Sequence, residues 1–360
     1  MKIVTIIGTR PEIIKMSPLL ELLNKHFDHT LIHSGQHYDP ALDDEIFTQL
    51  QLPSPNIRLK TGSGNFPQQL FKQMNGIHKN LQSLRPSFVI VQGDTNTALS
   101  ATLVATRLGI EVIHIEAGCR SFNPNAPEEQ NRILIDSVST HLLCSDKNAL
   151  HNLRREKKEK KTFLVGSTTF DALKRSDKLT NSQFYKSLSL TKESYILATL
   201  HRAESMSSLD QFKEKIEYLN WVAEFKKIIF PIHPRTKKFI DKNKIKLHAS
   251  ISVIPPLKHL QFINLIKNSR FIISDSGGIQ EEAAYFNRPC LVLRKETEWT
   301  RLIKAKKNFM ITSNCVTSKN LTKKLLFNNV FYKKTRNQRC LESTTGSSKK
   351  IISLIKKISL

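Results

Sequence analysis

Short apolar runs recur along this chain, and most are followed at once by small or polar residues and then by an amphipathic stretch. A strand buried on both faces reads as such a run, and strand–helix alternation forces parallel pairing with right-handed crossovers. In the first half, runs at 3–7, 31–33, 88–91, 112–115 and 142–144 alternate with helical patterns at 11–23, 68–84, 97–108 and 128–138. The second half repeats the theme. Its runs lie at 195–199, 228–231, 251–254, 271–274 and 290–293, and its helical patterns at 209–225, 259–267 and 278–286. The pattern predicts α/β architecture with two Rossmann-like, doubly wound parallel-sheet domains, and 360 residues accommodate both. The polar stretch 154–161 and the turn at Gly166 mark the seam. Domains are therefore expected at 1–166 and 167–345, and 346–360 is a tail with the spacing of a terminal helix that docks on either domain.

Composition narrows the function classes. No run approaches the roughly 20 apolar residues that cross a bilayer, so membrane insertion is not expected. The opening residues, Met1 to Gly8, read as a buried strand rather than a secretory leader. The five cysteines are scattered without a C-x-x-C pair, which predicts reduced thiols and a cytoplasmic protein. The net charge is +25, and the excess sits in lysine runs at 154–161 and 237–246 and from Lys304 onward. Aromatic residues do not interleave with these runs as base stacking requires, so nucleic acid is not an expected partner. A solvated lysine-biased surface, loosely attractive to anionic surfaces, is the reading.

In open α/β sheets ligands bind beyond the carboxyl ends of strands, and the informative motifs stand there. Gly8-Thr9-Arg10-Pro11-Glu12 opens the first helix, where bare N–H groups and Arg10 can grip a phosphate, with Lys15 one turn on. An ordinary capped turn is the alternative. Asp94 follows the run at 88–91, as a functional carboxylate or as a helix N-cap with Thr97 behind it. Glu116 ends a buried run and needs a partner or a function; Arg120 and Arg132 are the structural candidates. Glu128, just after Pro127, is either a helix-dipole partner or a third carboxylate, and it shares a face with Arg132. Carboxylates gathered at one sheet edge raise one another's pKa, so one holds a proton while another takes one.

The second half adds His201, placed to bond phosphate or titrate near neutrality, unless it is structural. Ser276-Gly277-Gly278 enters a helix with consecutive N–H groups toward a phosphate, and Glu282, one turn in, suits a ribose diol. His233-Pro234-Arg235 follows another run, as a cation near a site or as plain structure. Metal-ligand spacing, a G-x-G-x-x-G fingerprint and a G-x-S-x-G elbow are all missing from the sequence, so neither metal nor cofactor is expected.

Together the segments GTRPEIIKMSPL (8–19), SGQHYD (34–39), VQGDTNTALSATLVA (91–105), HIEAGCRSF (114–122), PEEQNRILID (127–136), LATLHRAES (197–205), PIHPRT (231–236) and SDSGGIQEEA (274–283) resemble the non-hydrolysing UDP-N-acetylglucosamine 2-epimerases. The resemblance implies the GT-B fold, two domains facing across a cleft, and a homodimer. It also implies inversion at C2 of a UDP-linked N-acetylated amino sugar, by loss and re-addition of UDP through a 2-acetamidoglucal, in the supply of surface polysaccharide synthesis. Carried over, Asp94, Glu116 and Glu128 are the acid/base carboxylates and His201 assists near the diphosphate. Arg10, Ser276, Gly277 and Gly278 hold the phosphates, with Lys15 and Arg132 beside them, and Glu282 the ribose. One stretch departs. After Arg294 the chain reads Lys-Glu-Thr-Glu-Trp-Thr-Arg rather than the Thr-Glu-Arg-Pro-Glu common in the family. Thr297-Glu298-Trp299 is similar to the branch acting on UDP-2,3-diacetamido-glucuronic acid, although Arg301 replaces an acidic residue usual there. SGQHYD lacks the Q-H-R run associated with allosteric control by UDP-GlcNAc, and none is expected. A GT-B glycosyltransferase and a non-catalytic nucleotide-sugar binding protein are the rival readings.

Overall fold

A computed structural model describes residues 1–36, 40–62, 64–157, 161–202, 206, 208–313, 315–338 and 345–359. His37, Tyr38 and Asp39 of SGQHYD, Glu204 beside His201, the middle of the 154–161 run and Cys340 lie outside them. Two compact units form, one of Met1–Arg175 with Glu342–Leu360 and one of Ser176–Leu341.

The first unit holds a seven-stranded sheet of β1 (Lys2–Ile7), β2 (Asp28–His33), β3 (Ile57–Arg58), β4 (Phe88–Gln92), β5 (Glu111–Ala117), β6 (His141–Cys144) and β7 (Thr162–Leu164), in the order β3-β2-β1-β4-β5-β6-β7. Every pairing is parallel. The order reverses between β1 and β4, which opens a crevice at their carboxyl ends. Val4, Ile6, Val89, Val91 and Val112 pack on the helix Asn96–Arg107 through Ala98, Leu99, Ala101 and Ala105. Each alanine brings helix and sheet close; the branched strand residues fill the pleat.

The second unit repeats the plan with β8 (Ile196–Thr199), β9 (Ile228–Pro231), β10 (Ile251–Ile254), β11 (Ile272–Ser274), β12 (Cys290–Val292) and β13 (Asn308–Met310), in the order β10-β9-β8-β11-β12-β13, again all parallel. Its switch point lies between β8 and β11.

The strands β3, β7 and β13 are absent from the sequence reading, as are the helices Pro40–Gln49, Lys147–Arg155, Thr168–Leu179, Phe184–Ser187, Pro234–Lys242, Thr300–Lys304, Val316–Phe327 and Asn329–Arg336. The three strands are outermost in their sheets and two or three residues long. Two of the missed helices bury narrow faces: Lys147–Arg155 covers only Ala149 and Leu153, and Pro234–Lys242 only Thr236 and Ile240. The stretch after Gly166, weakly patterned as sequence, starts with the helix Thr168–Leu179, and the two units divide within it. The terminal helix exists, as Ser347–Ile358, and belongs to the first unit. Asp171 holds its start, accepting from the N–H groups of Gly346 and Ser348, and Ile351, Ile352 and Ile355 are buried.

Candidate active site

Glu116, at the end of β5, has φ +67°, in a left-handed region that costs a non-glycine residue about 1–2 kcal/mol. It sits at a register shift between Ile115 and Ala117 in the pairing with β6, the kind of bulge that re-aims a side chain. The turn behind it is fixed. Gly118 has φ +77°, and a Cβ there would lie 2.3 Å from the carbonyl oxygen of Ala149, so only glycine passes. Its N–H donates to the buried Asp136 at 3.0 Å. Burial works to raise the Asp136 carboxyl, but His114 at 2.7 Å and Arg120 at 2.7 Å hold it below its ordinary value. The other ring nitrogen of His114 bonds the carbonyl oxygen of Gly93 at 2.8 Å, which ties the ends of β4 and β5 together.

Two carboxylates at this edge, Glu116 and Asp94, are held by cations, Lys15 and Arg132. Lys15 Nζ lies 2.8 and 2.9 Å from the two Glu116 oxygens, with the Glu116 side chain 7% exposed. Arg132 bonds Asp94 and also faces Glu129 at 3.5 Å. Burial opposes the charge on Arg132, and Asp94 foremost, then Cys119, Glu116 and Glu129, keep its pKa above the ordinary value. Asn131 donates to the Asp94 carbonyl oxygen at 2.9 Å. Three sequence expectations change. Glu116 pairs with Lys15, not Arg120 or Arg132; Arg120 is taken up by Asp136 and Glu156. The helix Asn96–Arg107 is capped by Thr95, whose Oγ1 accepts from the Ala98 N–H, and not by Asp94. Arg132 meets Glu129 rather than Glu128.

Adjacent residues on a helix point about 100° apart, so only one of Glu128 and Glu129 turns inward. It is Glu129, which accepts from the N–H groups of Ser121 at 2.8 Å and Phe122 at 3.1 Å. Glu128 is exposed at the start of the helix Pro127–Val138 and makes no hydrogen bond or ion pair among the described residues. The structure thus pairs Lys15 with Glu116 and Arg132 with Asp94, and it leaves Glu128, four residues before Arg132, on the surface.

The start of the helix Arg10–His26 is occupied from within. Glu12 folds back to accept from the Gly8 N–H at 3.0 Å, the Thr9 hydroxyl at 2.8 Å and the Thr95 hydroxyl at 2.9 Å. Burial pushes its carboxyl up to about 7, against the pull of those hydrogen bonds. The carboxyl raised toward neutrality is therefore Glu12, which the sequence reading quoted without assigning a role. Arg10 is half-buried at the same helix start and makes no hydrogen bond or ion pair among the described residues.

In the second unit, the fully buried Asp275 accepts from the N–H groups of His201 at 3.2 Å and Arg202 at 3.1 Å, binding the loop after β8 to the loop after β11. The His201 side chain is 41% exposed, with Nδ1 3.8 Å from Asp275. Its ring centre is 6.5 Å from that of His233, which caps the helix Pro234–Lys242 by accepting from the Arg235 N–H. Burial first, then His201 and Arg235, keep His233 below its ordinary pKa. Ser276 precedes the helix Gly277–Tyr285 and gives it no side-chain cap. Glu282 is half-buried on that helix, and Gly278 faces open space. A Cβ on Gly277 would lie 2.3 Å from Glu298 Oε1, so a glycine is needed where this carboxylate leans in. Burial works to raise Glu298, yet Arg294 at 3.0 Å and the charge of Arg202 hold it below the ordinary range. Arg301 pairs with the buried Glu281 at 2.6 Å, its guanidinium 5.0 Å from the centre of the Trp299 ring.

The first unit thus presents the carboxylates Glu116 and Asp94 paired with Lys15 and Arg132, and the second a glycine turn at Ser276 whose neighbour Asp275 holds the backbone of His201. Residues 21–356 match the family described as Epimerase_2, UDP-N-acetylglucosamine 2-epimerase. A UDP-N-acetylglucosamine 2-epimerase of Methanocaldococcus jannaschii is 41% identical over 326 residues, covering 87% of this chain and 89% of that one. A UDP-2,3-diacetamido-2,3-dideoxy-D-glucuronate 2-epimerase of Pseudomonas aeruginosa is 35% identical over 315 residues, covering 86% and 88%. The crystal structure of the M. jannaschii UDP-GlcNAc 2-epimerase in complex with UDP-GlcNAc and UDP superposes with a TM-score of 0.88 at 38% identity, covering 99% of this chain and all of that one.

Proposed function

The chain belongs to the UDP-N-acetylglucosamine 2-epimerase family, and on that premise we propose that it inverts C2 of UDP-N-acetylglucosamine to give UDP-N-acetylmannosamine. A carboxylate takes the C2 proton; the C1–O bond breaks, UDP leaves with the bonding electrons, and a 2-acetamidoglucal forms. Return of a proton to the opposite face of C2 and of UDP to C1 completes the inversion. Glu116, Asp94 and Glu128 are the acid/base groups of this reading, with Lys15 and Arg132 beside the charge that changes. Arg10, His201, Ser276, Gly277 and Gly278 take the diphosphate and Glu282 the ribose. The observation that carries the reading is Glu116, a carboxylate held in a left-handed backbone at a bulge and gripped by Lys15. Strained positions of this kind persist where surrounding structure enforces them, and they cluster at active sites. The uncapped turn at Ser276 supports the diphosphate assignment, since leaving UDP needs positive dipoles at its phosphates.

A second substrate, the 2,3-diacetamido-uronate, is favoured by Thr297-Glu298-Trp299 and by the P. aeruginosa relative. A reducing cytoplasm agrees with four free thiols among the described cysteines. The homodimer rests on the family alone, and light scattering on the eluting protein tests it.

Incubation in D2O with each UDP-sugar in parallel decides the substrate. Deuterium is expected at C2 of both epimers of the true substrate. Exchange with neither sugar rejects both, and transfer of the sugar to an acceptor without C2 exchange would make the chain a glycosyltransferase.

A further inference from the structure

Residues 301–360 carry fifteen basic side chains and a single acidic one, Glu342, and the proposed chemistry uses none of this excess. In the second unit the helices Val316–Phe327 and Asn329–Arg336 hold Lys319, Lys323, Lys324, Lys333 and Lys334 and no acidic residue. Large apolar side chains stand among these lysines. Phe327 is 62% and Val330 79% exposed. The Phe225 ring lies 5.6 Å from that of Phe327, and Trp221 lies 5.5 Å from Phe225, with Lys319 Nζ 5.5 Å from the Trp221 ring centre.

The face has a definite place in the unit. Arg270, just before β11, donates to the carbonyl oxygens of Leu325 and Leu326 at 2.9 Å each, and Phe225 lies just before β9. The patch therefore sits at the amino ends of the strands, whereas His201 and Ser276 follow their carboxyl ends. A partner seated here leaves the turn at Ser276 uncovered.

We propose that this face docks on the surface of an anionic lipid bilayer. Lysine ammonium groups meet headgroup phosphates while Phe327, Val330 and Phe225 enter the headgroup boundary, the division of labour of interfacial anchors. No described helix is long and apolar enough to cross a membrane, so the contact is peripheral. Lipid fits better than RNA. Phe225 and Phe327 meet edge to face at 89° rather than offering parallel faces for bases, and Val330 has no ring to stack.

The test is co-sedimentation of the full chain with vesicles of phosphatidylcholine alone or of equimolar phosphatidylcholine and phosphatidylglycerol. Binding to the anionic vesicles alone is expected, weakening as salt rises. Lys323→Gln should lose about fivefold, and Lys323→Glu with Lys324→Glu roughly 25-fold or more. Phe327→Ser with Val330→Ser should weaken binding and leave the remainder fully salt-sensitive. All these side chains are exposed, so each variant should melt with the parent protein. Equal partition onto both vesicles, or unchanged partition of the charge-reversed pair, overturns the proposal. So does polyuridine RNA that strips the protein from anionic vesicles and binds the charge-reversed pair less well.

Discussion

Replacing Glu116 by glutamine should lower turnover by about 10²–10⁴-fold, the range that a positioned acid/base group supplies, while UDP binds as before. Glutamine keeps the size of the side chain and can still accept from Lys15, so the effect isolates the exchangeable proton site. Glu116→Gly separates chemistry from backbone. A glycine at φ +67° relieves strain of about 1–2 kcal/mol, which offsets part of the lost Lys15 pair. That variant should fold near parental stability and still lack turnover. A pair with its carboxylate 7% exposed could instead be purely structural. In that case Glu116→Gln would retain activity and Glu116→Gly would lose stability. Turnover within tenfold of the parent in Glu116→Gln removes Glu116 from the mechanism.

The second large effect is on stability and comes from Glu12. Burial raises its carboxyl from 4.5 in the open chain to about 7 in the fold. Between those values the folded protein keeps a proton that the unfolded chain has released, so stability falls as pH rises through this window. Below the window no penalty exists, and above it the full penalty remains, about 3 kcal/mol at 1.36 kcal/mol per unit. Glutamine resembles the protonated acid: its oxygen accepts from Gly8 and Thr9, and its NH2 donates to Thr95. Urea denaturation of Glu12→Gln against the parent should show little difference near the lower end of this window. By pH 8 the variant should lead by roughly 3 kcal/mol. Other titrating groups cancel in the comparison. A difference that does not change with pH would mean that Glu12 is ionised in the fold as it is outside. The protein tolerates this carboxyl where it ties the helix of Arg10 and Lys15 to the loop of Asp94 and Thr95.

How much was legible follows from what each residue depends on. The apolar runs of β1, β4, β5, β8 and β11 are dictated by burial on both faces, so the two sheets and the residues at their carboxyl ends could be read directly. Partner choice could not. The two arginines near Glu116 in sequence were the natural candidates, yet the cation is Lys15, 101 positions away. Glu128 and Glu129 are equivalent as letters, and only the loop at Ser121 and Phe122 selects Glu129 for the interior. Asp94 and Thr95 both suit a helix cap, and Thr95 wins, leaving the Asp94 carboxylate to Arg132. The lysine-rich helix Val316–Phe327 escaped because its buried face is reduced to Ser318, Thr322, Leu325 and Leu326. Its aromatic companions on the surface matter to the bilayer proposal for the same reason.

The central claim is that inversion at C2 runs through cleavage of the bond from C1 to the diphosphate, with a carboxylate as the proton acceptor. It is tested most directly with UDP-N-acetylglucosamine carrying oxygen-18 in the bridge between C1 and phosphorus. If UDP departs and returns, the label should scramble into the non-bridging positions of the β-phosphate as fast as C2 exchanges, and both should stop in Glu116→Gln. Epimerised product that keeps all of its oxygen-18 in the bridge would contradict the account.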